Sequence, residues 1–220
     1  MAVFDSLLMV HICAGFLALS SAIGAVATKT FDAPHSWHKV FGTTYFYAML
    51  IIFLTAIPMA IMHSGEFLFL VAIFGFYLAF SGWRAARNRQ GIPQKSDWAA
   101  LWIMGLGAIA MFGYGVLLLM ADSGFGIVII VFGGIASLLV VSGWKRLRAG
   151  GFKGRERIAR HVGMMLGGTI ATTTAFVVTN FEVEPAWLLW LGPTIVITPV
   201  ITWWTRKIKR GDPISGLVAN

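Results

Sequence analysis

The sequence predicts an all-α protein that crosses a membrane with seven helices, on the basis of its composition, its apolar runs and its charge placement. Of the 220 residues, 58% are hydrophobic and 12% are charged, and the mean hydropathy is +0.80. Soluble domains carry about 25% charged residues. A soluble chain of this length could not bury so much apolar surface, so the composition favours a multi-pass membrane protein.

Seven apolar runs are each close to the roughly 20 residues that cross about 30 Å of hydrocarbon as a helix. Because lipid offers no partner to an open backbone N–H or C=O group, each run is predicted to be helical. Ser-Gly-Trp ends the third run at 81–83 and the fifth at 142–144, which indicates a repeated two-helix unit. The predicted arrangement is one first helix followed by three helical hairpins. The runs cover residues 4–27, 39–62, 67–83, 98–120, 125–144, 161–181 and 187–205.

The charges separate cleanly between the two sides of this predicted bundle. All 17 Lys and Arg residues fall on one side, which also receives the C-terminus. The positive-inside rule then predicts an external N-terminus and a cytoplasmic C-terminus. We expect a transmembrane domain over residues 1–205 and a cytoplasmic basic tail over 206–220. The side without Lys or Arg carries Asp5, Glu66, Asp122, Glu182 and Glu184.

The net charge of +8 is explained by these loops without invoking nucleic acid. Basic segments beside membrane-spanning helices contact anionic lipid headgroups, which are the expected partners here. The predicted location is the plasma (inner) membrane of a bacterium. A second copy of the chain and a redox protein are further candidate partners.

Four histidines at or within the predicted spans are the candidate chemical groups. His11 lies inside the first run, His35 and His38 precede the second, and His161 opens the sixth. An ionisable residue within a span is a functional hypothesis by default. Inward-facing imidazoles on membrane helices are a common means of holding b-type haem through axial iron bonds.

Depth restricts which histidines can share a metal. His38 and His161 lie at the same inner level on different helices, so they are the predicted pair of ligands, with His35 as a replacement or support for His38. His11 is about 16 residues from the inner end of its own helix, or roughly 24 Å, and needs a different partner. His63 is the only other histidine on the outer side.

Two glycines repeat one spacing relative to these histidines. Gly15 follows His11 by four residues, and Gly42 follows His38 by four. A glycine one turn from an imidazole leaves room for a flat molecule such as haem. The alternative is close helix packing by small residues.

No phosphate loop, HExxH, CxxC or GxSxG motif is present in the sequence. The leading hypothesis is a haem b protein that moves electrons, with quinone as a candidate substrate. A second hypothesis is a small permease or tolerance factor for a hydrophobic or metal-bearing solute. A third is a membrane scaffold subunit without chemistry of its own.

The segments around the histidines also form a recognisable pattern. His11-Ile12-Cys13-Ala14-Gly15, Gly24, Lys29, His38-Lys39-Val40-Phe41-Gly42 and a threonine-rich helix after His161 carry it. They resemble a bacterial family of uncharacterised membrane proteins, domain of unknown function 2306, which usually has Arg at the position of Lys39. This resemblance implies a multi-pass membrane protein and no established activity. The histidine placement alone is distantly similar to the di-haem transmembrane cytochrome b reductases, which keep paired histidines at two depths.

Overall fold

A computed structural model describes residues 2–63 and 65–212, and over these ranges the chain forms seven α-helices and no strand. All seven are long and apolar enough to cross a membrane, which indicates a multi-pass membrane protein. The all-α prediction is confirmed. The helices are α1 (Ala2–Thr30), α2 (His35–His63), α3 (Glu66–Arg87), α4 (Lys95–Met120), α5 (Phe125–Arg148), α6 (Gly154–Asn180) and α7 (Trp187–Arg210).

Several helices extend beyond the apolar runs into charged sequence. α6 begins seven residues before the predicted start at 161, and α7 continues to Arg210, so the first part of the basic tail is helical. Residues 213–220 of that tail lie outside the described residues. α1 ends where Asp32 adopts a left-handed conformation (φ 51°), with the Ala33 N–H donating to the Thr28 carbonyl over 3.0 Å. This closing turn satisfies carbonyls that the helix leaves unpaired.

The three predicted hairpins all form, but two further helix pairs, α1–α2 and α3–α6, also pack closely. α2 packs more extensively against α1 than against α3, and α3 packs chiefly against α6. Small residues permit these pairings: a methyl group at Gly24 of α1 would lie 2.7 Å from the Phe41 ring of α2. A methyl group at Gly82 of α3 would lie 2.8 Å from the Met165 side chain of α6. Among the hairpins, α4–α5 and α6–α7 pack more extensively than α2–α3.

The ends of the helices that carry the Lys and Arg residues are tied together, and we call this the basic end. Arg84 of α3 donates two hydrogen bonds to Asp97 of α4, over 3.0 and 2.9 Å. Arg157 of α6 donates to the Ala85 carbonyl of α3 over 2.6 Å. Arg155 donates to the Arg210 carbonyl over 3.3 Å. These contacts join α3, α4, α6 and α7.

The two Ser-Gly-Trp segments use the same local contact at the basic end. In each, the Arg four residues after Trp lies over the indole ring, Arg87 at 4.9 Å from Trp83 and Arg148 at 6.0 Å from Trp144. Residues four apart share a helix face, so sequence spacing alone produces this cation–π pair. The repeat therefore gives α3 and α5 the same cation–π contact within each helix at the basic end.

Candidate functional site

The structure brings His38 and His161 together. His38 is in the first turn of α2 and His161 in the second turn of α6, and their ring centroids are 6.2 Å apart with an interplanar angle of 81°. Both side chains are half-buried. Two imidazoles from helices distant in sequence therefore meet near the basic end.

Each of these imidazoles is held by a backbone carbonyl. His38 Nδ1 lies 3.0 Å from the Ala25 carbonyl oxygen of α1, and His161 Nδ1 lies 2.9 Å from the Gly82 carbonyl oxygen of α3. A carbonyl oxygen only accepts, so both Nδ1 atoms carry the proton. In a neutral imidazole Nε2 then keeps its lone pair. Neither Nε2 has a hydrogen bond among the described residues, so both rings are set up as donors of an electron pair.

His35 joins the pair only through His38. Its ring stacks on the His38 ring with centroids 6.0 Å apart and an interplanar angle of 20°, and its side chain is exposed. Over residues 2–63 and 65–212, no group of three or more His, Cys, Asp or Glu side chains is arranged to hold a metal ion. Any ligation at this place would therefore rest on two imidazoles.

His11 lies apart from this pair. Its Nδ1 is 2.8 Å from Thr55 Oγ1, and Thr55 Oγ1 donates to the Ile51 carbonyl over 2.8 Å, so His11 is the donor to Thr55. His11 and Ala25, which holds His38, are fourteen residues apart on α1, or about 21 Å along the helix. The side chain of its candidate partner His63 lies outside the described part of the structure.

Gly15 and Gly42 do not serve helix packing. No other part of the described chain comes within 4 Å of the position that a methyl group would take on either glycine. Of the two interpretations that the sequence allows, close packing by small residues is therefore wrong at both positions. The space beside each glycine is open to lipid or to a bound molecule.

The residues that orient the imidazoles were not identified from the sequence. Ala25 and Gly82 act through their carbonyl groups, which carry no side-chain signal. Gly82 does lie in a repeated Ser-Gly-Trp segment, and its missing side chain admits Met165 and brings α6 close. Next to it, Trp83 stacks on Phe46 with centroids 4.4 Å apart, and its Nε1 is buried without a hydrogen-bond partner among the described residues.

Comparisons with known proteins give this site no precedent: no family model matches the chain, and no curated protein or solved structure is significantly similar to it.

Proposed function

We propose that this chain is a membrane protein that holds b-type haem between His38 and His161 and takes part in electron transfer. The observation that carries the proposal is the imidazole pair, with each Nδ1–H donated to a carbonyl and each Nε2 left without a partner in the described chain. Carbonyl acceptors of this kind fix the orientation of a ligating ring and raise its basicity. The donor set therefore suits an iron centre.

The separation of the rings supports the same proposal. Metal–imidazole nitrogen bonds of about 2 Å put the centroids of two opposed ligands roughly 6 Å apart. The centroids of His38 and His161 are 6.2 Å apart. The open space at Gly42, one turn from His38, would admit a flat macrocycle.

When bound, haem b supplies a one-electron couple at iron. The contribution of this chain is to position two imidazoles, each through a hydrogen bond to a carbonyl of a neighbouring helix. We further propose that His11 acts at the opposite depth, as an outer ligand or a proton-handling group. Quinone is the proposed electron-carrying substrate.

The proposal includes the setting of the protein. The chain would lie in a bacterial inner membrane with its N-terminus outside and its basic end against anionic headgroups of the cytoplasmic leaflet. The resemblance to domain of unknown function 2306 stays part of this proposal, as does a redox protein or a second copy as partner.

Spectroscopy tests the haem directly. The full chain, produced with haem supplied and purified in detergent, should show a Soret band that shifts on reduction with dithionite. A colourless protein under these conditions contradicts the proposal and favours the permease or scaffold hypotheses.

Variants then assign the ligands. His38→Ala and His161→Ala should each abolish the same spectral component, because each residue would supply one of the two imidazoles that hold the haem. His35→Ala is the matched control, since its exposed ring touches the site only by stacking on His38. Retention of the full spectrum by either ligand variant would show that the haem is held elsewhere.

A further inference from the structure

A concavity lies on the far side of α6 from the histidine pair. It is a cleft between α5, α6 and α7, closed at its back by α3, with a volume of about 570 Å³. Sites for small molecules have volumes of about 300–1,000 Å³. None of the four histidines whose side chains are described lines the cleft. It is therefore a separate site from the one proposed for haem.

The cleft runs deep into the bundle from the basic end. Arg160 lines its rim and Thr174 lines its deep end, fourteen residues apart on α6, or about 21 Å along the helix. Half of a hydrocarbon core of about 30 Å is roughly 15 Å. The cleft is thus longer than one leaflet, and it is long enough for an extended hydrocarbon chain.

Its walls below a cationic rim are mostly apolar, and they also carry the hydroxyl side chains of Ser142, Thr174, Thr194, Thr198 and Thr205. Leu139 of α5, Ile170 of α6 and Ile201 of α7 face the cleft from three helices. The rim has four cations and one carboxylate: Lys145, Arg146, Arg160, Lys209 and Glu156.

Three of the rim cations are not neutralised by the protein. Arg146 forms an ion pair with Glu156. Within residues 2–63 and 65–212, no carboxylate pairs with Lys145, Arg160 or Lys209. The guanidinium of Arg160 lies over the Phe152 ring at 4.2 Å, which holds it at the rim without cancelling its charge. The cleft therefore presents an excess of positive charge at one end and mostly apolar surface along the rest.

We propose that the cleft binds an anionic membrane lipid, with its phosphate among Lys145, Arg160 and Lys209 and one acyl chain along the apolar walls. The charge pattern selects an occupant with a negative head and a long apolar tail, and the proposed orientation places the basic end among lipid phosphates. α5 and α7 flank the cleft and barely touch each other, so a chain can enter sideways from the bilayer. This site does not depend on haem at the histidines.

Native mass spectrometry of the delipidated full chain in detergent tests the proposal. The probes are phosphatidylglycerol and phosphatidylcholine with identical acyl chains, so that only the headgroup charge differs. We expect one phosphatidylglycerol to be retained per chain under collision energies that remove phosphatidylcholine. Equal retention of the two lipids would overturn the proposal.

The proposed phosphate site is tested by neutralising the three rim side chains that have no carboxylate partner in the described chain. K145Q/R160Q/K209Q should lower the preference for phosphatidylglycerol by roughly 100-fold, at about fivefold for each cation. The control K95Q/K153Q/R206Q removes the same charges from exposed positions at the basic end that do not line the cleft, and it should keep the preference. An equal loss of the phosphatidylglycerol preference in both triple variants would indicate a general attraction of the lipid to the basic end. That result would overturn the proposed phosphate site.

The proposed site for the acyl chain is tested with variants that leave the rim charges in place. Thr198→Trp fills the cleft from α7, whereas Val196→Trp adds the same ring two residues away on a surface that is 71% exposed. Only the first should release the lipid. Displacement by inorganic phosphate alone would show a site for a soluble anion, and retention of a neutral quinone analogue by the charge-neutralised variant would show a quinone site. Either result overturns the lipid assignment.

Discussion

The two sides of α6 differ in how tightly they meet the rest of the bundle. On the side facing α2 and α3, a methyl group at Gly168 would lie 2.5 Å from the hydroxyl of the buried Tyr45. On the side of the cleft, a methyl group at the adjacent Gly167 would first meet Leu78, at 3.4 Å. On the closed side His161 is held by a hydrogen bond to the Gly82 carbonyl of α3, whereas the open side borders the cleft.

This difference in packing indicates which kind of ligand each side of α6 could bind. Ligands to a metal must be held in place before binding, and close helix packing with backbone hydrogen bonds would provide this for the proposed ligands His38 and His161. A flexible hydrocarbon chain needs space and a charge at one end, and the cleft provides these. The first prediction below compares the two sides of α6 directly, and the other two compare a position beside a histidine with a matched position away from the histidines.

The largest effect should come from adding one methyl group on the closed side. Gly168→Ala should lower the free energy of unfolding by about 3 kcal/mol. The added methyl group overpacks the interface, and it also displaces the Tyr45 hydroxyl from its hydrogen bond to the Met165 carbonyl. Gly167→Ala should leave stability unchanged or raise it by about 1 kcal/mol through helix propensity. Unfolding in mixed detergent micelles measures both. Equal losses in the two variants would remove the contrast between the sides.

A smaller effect is expected from filling the space beside the imidazole pair. Gly42→Leu should reduce haem retention by roughly tenfold or more, since overpacking typically costs about 1–3 kcal/mol and 1.4 kcal/mol is tenfold. Gly134→Leu on α5 is the control, because its methyl position is equally open but far from the histidines in sequence and packing. Haem titration followed at the Soret band gives the affinities. An unchanged affinity in Gly42→Leu would mean that nothing bound occupies this space.

The smallest effect compares two buried threonines. Thr55→Val should destabilise the protein by about 1 kcal/mol, because it leaves the His11 N–H without its acceptor. Thr174→Val should be close to neutral, because the Thr174 hydroxyl is buried without a partner among the described residues. Thermal unfolding of delipidated protein compares them. A larger loss for Thr174→Val would show that its hydroxyl has a partner.

Much of the fold follows from local sequence properties. The seven runs became seven helices, because apolar length and backbone pairing act within each segment. Helix ends were less accurate: α6 starts at Gly154 and α7 runs to Arg210, since charged residues at the basic end continue the helices in water or among headgroups. The predicted hairpin order missed the close pairs α1–α2 and α3–α6, which Gly24 and Gly82 make possible.

Only the side chains of the candidate site could be predicted from the sequence. The sequence suggested His38 and His161 as a pair because they lie at the same depth in the membrane on separate helices. The depth of each residue follows from the positions of the predicted spans. The carbonyls of Ala25 and Gly82 were not foreseeable, because every residue has one and only packing selects which faces an imidazole. The cleft was missed for the same reason, since its lining is drawn from four helices.

The sequence by itself determined the helices and the collection of all 17 Lys and Arg residues at one end, because hydrophobicity and charge act residue by residue along each span. Only the tertiary structure decided that the His38 and His161 rings lie 6.2 Å apart and that α5 and α7 leave a cleft between them. The reason is that the rotation and spacing of the helices depend on which small residues meet which large residues across each helix interface. The sequence of one span does not determine which residues of another span it will meet.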